Sequence, residues 1–236
     1  MNDNFQERQF ILEMLELQEN INSQITSAWR EAHYPWYRAI WIECAELMDH
    51  HGWKWWKKQT PNLEQIHMEL VDIWHFGLSD CLQHCNDKNL TADALYRLVC
   101  LASSHQNQLN SPDQKSTASN QHTIINGELL LEKVEDFAQD CLQLKRFPLP
   151  AFAELLQAAN FSFENLVKYY IGKNALNKFR QDQGYKEGSY IKIWQGLEDN
   201  EHLSQILETC SLGEEKLQET IYSGLAKRYK MNKVAS

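Results

Sequence analysis

The chain has 236 residues, 43% of them hydrophobic, with eight tryptophans but only nine glycines and five prolines, which is ample apolar mass for a core with few breakers in it. Its formal charge of -9 weighs against sequence-independent binding to DNA or RNA, which depends on basic surface neutralising phosphates. No apolar run approaches membrane-spanning length and residues 1–7 have neither the basic nor the apolar part of a signal peptide, so a cytoplasmic protein with no membrane partner and with reduced cysteines is expected.

Apolar residues recur at intervals of three and four, and strand-like alternation is hard to find, so the predicted class is all-α. The first helix is predicted over residues 5–28 on a stripe of Phe10, Met14, Leu17, Ile21 and Ile25, with Gln18 and Asn22 four apart beside it. A second starts after Pro35, carries Glu43-Cys44-Ala45-Glu46 and ends near His51-Gly52, where glycine suits a helix C-terminus. The aromatic and basic run Trp53-Lys54-Trp55-Trp56-Lys57-Lys58 is a connection. Thr60-Pro61 then opens a helix, with proline in its first turn, that carries Glu69-Leu70-Val71-Asp72 to about Cys85. Further helices are predicted over 90–101, 127–144, 151–160 and 163–183. Between them, residues 102–123 form a flexible insertion rich in Ser, Asn, Gln and His. Residues 1–236 form a single domain with no repeat of fixed period.

The two acidic signatures carry the chemistry. Residues three apart share a helix face, so each signature points two carboxylates the same way, and packing of the two helices would gather four. One pair at ~4 Å repels by about 4 kcal/mol at an effective dielectric near 20, so a cation must enter or protons must bind. Oxygen-only ligands favour Mg²⁺ or Mn²⁺, and magnesium held by carboxylates usually works on phosphates. Glutamates at this spacing are common on exposed helices. Here, however, Ile40, Trp41 and Leu47 surround the first pair and Leu70, Ile73, Trp74 and Phe76 the second, a setting that suits the inside of a bundle.

Between residues 168 and 192, six basic residues meet two acidic ones, against the trend of the whole chain. Lys173, Asn177 and Arg180 line one helix face, and Gly184-Tyr185-Lys186-Glu187-Gly188 makes a loop that can fold over it. Such a stripe suits a triphosphate, since arginine offers bidentate bonds to phosphate oxygens and lysine adds point charge. A solvated basic face is the plainer reading of the same charges.

These residues resemble the all-alpha, dimeric dUTPase family, relatives of the MazG-type nucleotide pyrophosphohydrolases. Leu15-Glu16-Leu17-Gln18 with Ile21-Asn22 resembles the first motif, and Trp41 to Asp49 with Trp53-Lys54-Trp55-Trp56-Lys57 the second. Glu69 to Phe76 resembles the third, and Gly172 to Gln181 with Gly184 to Lys192 the last. Four blocks in the family's order are far more specific than an acidic pair. The resemblance implies a helical bundle of the all-alpha NTP pyrophosphatase type and an obligate homodimer. Its reaction converts dUTP, and dUDP as well, to dUMP, with pyrophosphate released from dUTP. It further implies that Glu43, Glu46, Glu69 and Asp72 hold Mg²⁺, with Mn²⁺ as a substitute, and that Glu46 polarises the attacking water. Lys173, Asn177, Arg180, Tyr185, Lys186 and Lys192 would bind phosphates and sugar. Gln18, Asn22, Trp56, His75 and Phe76 would shape the nucleoside pocket.

A side-chain amide at Gln18 or Asn22 can pair with the uracil edge but can also flip, so selectivity requires a fixed orientation. Phe76 is a plausible wall against the 5-methyl of thymine. Core packing is an equal alternative for Phe76 and the better one for Trp74; for His75, a satisfied buried histidine competes with a substrate contact. A relative acting on another nucleotide such as dCTP is the nearest competing function, followed by a non-catalytic helical dimer that binds protein. A di-iron bundle is weaker still, because Glu64-Gln65-Ile66-His67 supplies one Glu-x-x-His element where two are needed. Cys81-Leu82-Gln83-His84-Cys85 is half of a zinc pattern with no second half.

Overall fold

The computed structural model describes residues 3–109, 126–213 and 216–235. In chain order these form α1 (Asp3–Ile25), α2 (Trp36–His51), α3 (Leu63–His84), α4 (Lys88–Leu109), α5 (Gly127–Leu144), α6 (Leu149–Ala158), α7 (Phe163–Asp182), β1 (Ile193–Trp194), β2 (Leu197–Glu198), α8 (Asp199–Leu207) and α9 (Leu217–Ala235). The all-α class stands, with one short ribbon added. The chain divides into two compact units, Met1–Phe163 and Glu164–Ser236, a division that composition and periodicity did not signal.

In the first unit the helix boundaries follow local chemistry. Gly52 at φ 84° closes α2 in the left-handed conformation that glycine adopts without cost, and its N–H donates to the Met48 carbonyl. Asn62, not proline, caps α3: its side chain accepts from Gln65 N–H, and Thr60-Pro61 lies just before the cap. Asp87 accepts from the N–H groups of Asn89 and Leu90, so α4 starts at Lys88, two residues ahead of its predicted start. The predicted break at residue 102 is absent, because α4 runs to Leu109; residues 110–123 of the expected insertion lie outside the described residues.

α3 is the central rod, with nearly every residue from Gln65 to Leu82 buried or half-buried. α2 and α1 pack on it, α5 joins α2 to α6, and α4 lies on α1 and α6. Trp74 stacks on Phe152 at 5.5 Å between ring centroids and directs its indole N–H at Met14 Sδ. It is a core residue, contributing on the order of 2 kcal/mol by burial. Gly77 permits that packing: a Cβ there would fall 2.8 Å from the Phe147 ring.

The second unit closes on an aromatic cluster. Trp194 lies 5.0 Å from Tyr229 and 5.8 Å from Phe179, both edge-on, and stacks on His202 at 4.9 Å. The ribbon pairs Trp194 with Leu197 through a turn in which Gln195 and Gly196 both have positive φ, the mirror-image turn that suits a tight hairpin. A reciprocal capping box between Glu198 and Glu201 then starts α8. No motif of the sequence had assigned this stretch.

Candidate active site

α2 and α3 bring carboxylates together, as two packed acid-bearing helices should. Oxygens of Glu43, Glu69 and Asp72 lie within 4.8 Å of one another, and among the described residues this is the group that gathers metal-ligating atoms. Glu69 is buried, while Glu43 and Asp72 are half-buried. Burial, followed by the charges of Asp72 and Glu69, pushes the Glu43 carboxyl up to about 9. His50, one turn after Glu46 on α2, places Nε2 3.3 Å from Glu69 Oε1, and that hydrogen bond raises its own affinity for a proton. The sequence reading missed His50, although its spacing of four from Glu46 was available.

Glu46 stands apart from the trio and is exposed. The inward line of α2 is Ile40, Cys44 and Leu47. Each three-residue step turns the helix back by about 60°, so Glu43 flanks that line and Glu46 lies a further 60° toward solvent. It remains close enough for its charge to act on both Glu43 and His50. The donor set is hard oxygen throughout, and its mutual repulsion is what a divalent cation would relieve; the trio fits Mg²⁺.

On the helix that carries Glu69 and Asp72, His75 and Ser79 join Gln18 and Asn22 of α1 in one buried polar network. Gln18 Nε2 donates to Asn22 Oδ1 at 3.1 Å, Asn22 Nδ2 donates to Ser79 Oγ at 3.0 Å, and His75 Nδ1 lies 2.9 Å from Gln18 Oε1. Phe76 is half-buried and stacks on Trp36 at 6.2 Å, within a cluster that includes Trp29 and Tyr34. Trp56 is exposed and packs edge-on to Trp53 and Trp55, the latter 89% exposed.

In the second unit the basic residues have acidic company that the window from 168 to 192 did not reach. Arg180 makes a two-point bond to Asp199, with Nε and Nη2 each 2.8 Å from a carboxylate oxygen, and further bonds to Asn177 and Asn200. Tyr190 donates to Asp199 at 2.8 Å. Lys173 is buried with its ammonium 3.2 Å from Asn200 Oδ1. Burial alone would raise the Asp199 carboxyl, but Arg180 and Tyr190 outweigh it and hold it below the usual range. Lys192 pairs with Glu198 at 2.8 Å, and Tyr185 and Lys186 lie exposed on the Gly184–Gly188 loop.

The weaker motifs do not assemble. His67 stacks on Phe161 at 4.4 Å and burial lowers it to about 4, while Glu64 is exposed at the start of α3. Cys81, His84 and Cys85 line an open pocket with Arg146 but form no ligand group among the described residues. No helix among the described residues is long and apolar enough to cross a membrane. A family model described as dUTPase matches residues 10–185, about three quarters of the chain. No curated protein matches the chain.

Proposed function

The chain belongs to the all-alpha dUTPase family and is a dUTP diphosphatase, and from this premise we propose that it converts dUTP and dUDP to dUMP with Mg²⁺, or Mn²⁺ as a substitute. Water adds to phosphorus and the bond between the α and β phosphates breaks, releasing pyrophosphate from dUTP and orthophosphate from dUDP. The observation that carries the metal reading is the approach of Glu43, Glu69 and Asp72 within 4.8 Å across two helices. These three, with Glu46, would hold the magnesium, which supplies charge neutralisation for the polyphosphate and acidity for a water.

Glu46 is assigned as the base: its exposed carboxylate takes the proton of the attacking water, and its position off the inward line of α2 leaves it open to solvent. Gln18, Asn22, His75 and Phe76 frame the nucleoside, and Trp56 offers an exposed ring to stack on the base. Tyr185 and Lys186, both exposed, contact phosphate and sugar, and Lys192 does so on leaving Glu198. Lys173, Asn177 and Arg180 would do so only by opening bonds to Asp199, Asn200 or one another. The working form is a homodimer in the cytoplasm, without a nucleic-acid polymer as partner.

The test is a panel of deoxynucleoside and ribonucleoside triphosphates assayed for pyrophosphate, with magnesium and with chelator. dUTP should be hydrolysed far faster than the others and only with magnesium. A preference for dCTP would move the chain to a different substrate, and release unaffected by chelator would remove the metal.

A further inference from the structure

α2 turns a second side chain toward Glu69 besides Glu43. Seven residues bring a helix back to within about 20° of the same direction, so His50 follows Glu43 on the face that meets α3. Its Nε2 lies 3.3 Å from Glu69 Oε1. A carboxylate oxygen accepts, so the imidazole presents its Nε2 hydrogen there. The partners are unequal: the Glu69 side chain is 5% exposed and that of His50 35%, unlike the surface ion pairs that join two solvated side chains and contribute little. The main chain of His50 is tied to the same helix. Its carbonyl accepts at 2.9 Å from the N–H of Asn62, the residue that caps α3. His50 is thus fixed to α3 at both its backbone and its ring.

We infer that His50 is a positioning residue for the metal site, holding one oxygen of Glu69 so that the carboxylate is set toward Glu43 and Asp72 before a cation arrives. The inference rests on the metal reading of the trio given above. Among the described residues, the atoms that gather within 4.8 Å belong to Glu43, Glu69 and Asp72, and the imidazole is not one of that group. His50 therefore touches a ligand and makes no bond to the ion. A carboxylate that lacks such a donor has to be oriented by the ion itself, and that ordering lowers affinity. Because Glu69 is the most buried of the three, water is the least able to supply the missing donor there.

Mn²⁺ alone, titrated into the full chain and followed by the EPR signal of the free ion, tests this. His50→Leu removes the donor at a half-buried position and should weaken Mn²⁺ binding about 10- to 100-fold. His50→Gln, whose amide N–H can donate from a similar reach, should recover most of that affinity. Circular dichroism and thermal melts in chelator check that both variants fold; a merely structural contact would move those melts and leave the affinity of the folded protein alone. Affinity in folded His50→Leu within about twofold of wild type, or equal losses in the Leu and Gln variants, would overturn the assignment of His50. A wild type that binds no Mn²⁺ would instead overturn the metal reading of the trio, and the inference with it.

Discussion

In the first unit Glu43, Glu69 and Asp72 crowd within 4.8 Å with one imidazole, His50, beside them. In the second, Asp199 receives two bonds from Arg180 and one from Tyr190 and is wholly buried. Both clusters are acidic groups on packed helices, yet one is raised in proton affinity and the other lowered. A carboxylate surrounded by donors is already satisfied and holds the fold together. A set of carboxylates facing one another is relieved by a proton, as the raised Glu43 shows, or by a divalent cation, which oxygen ligands suit. The basic stripe in the sequence therefore divides by position: Lys173 and Arg180, away from solvent, bond Asn200 and Asp199, while Lys178 and Lys192, at the surface, pair with Asp182 and Glu198.

The largest effect should come from Glu46→Gln, which keeps the trio and the fold but removes the base, lowering kcat about 10²- to 10⁴-fold in a pyrophosphate-release assay. Near-normal turnover would take Glu46 out of the chemistry. On the other side of the comparison, Asp199→Ala leaves the Arg180 guanidinium without its partner. It should cost about 3 kcal/mol in urea unfolding, and a loss below about 0.5 kcal/mol would mean that the cluster is not structural.

Opposite pH dependences sharpen the contrast. The raised Glu43 favours the folded state while it stays protonated. That contribution is complete below about pH 4.5 and is lost as pH rises toward about 9. Thermal melts in chelator should therefore weaken between pH 5 and 9, by about 2 kcal/mol after allowance for partial exposure. Glu43→Gln should flatten the curve, and a curve equally steep in that variant would place the effect elsewhere. Asp199 works in reverse: its contribution is present above about pH 4 and is lost as pH falls through its depressed value. The smallest effect belongs to Trp56→Ala, which, at an exposed position, should change stability by less than about 0.5 kcal/mol. In contrast, Trp74→Ala, in the core, should cost about 3 kcal/mol or more. Equal losses at the two tryptophans would erase the distinction between surface and core rings.

Spacing made α2, α3, α5 and α7 legible, since amphipathic period and end signals at Gly52, Gly127 and Pro148 act locally. The acidic pairs were legible for the same reason. Which member of a pair turns outward was not, because it depends on where the inward line of the helix falls against its neighbours. Gln18 and Asn22 could be paired from their interval of four, whereas Ser79, a small residue in no motif, showed its bond to Asn22 only once α1 and α3 were packed. Asp199 and Asn200 were missed because a local charge count stops at its window, while the hairpin brings them back onto α7.

The most direct measurement is magnesium binding by titration calorimetry, on the wild type and on Glu69→Gln with its fold checked by circular dichroism. The wild type should bind saturably and the variant should lose most of that heat, because the most buried carboxylate charge of the trio is gone. Identical isotherms for the two folded proteins would contradict the assignment of the trio as the metal site.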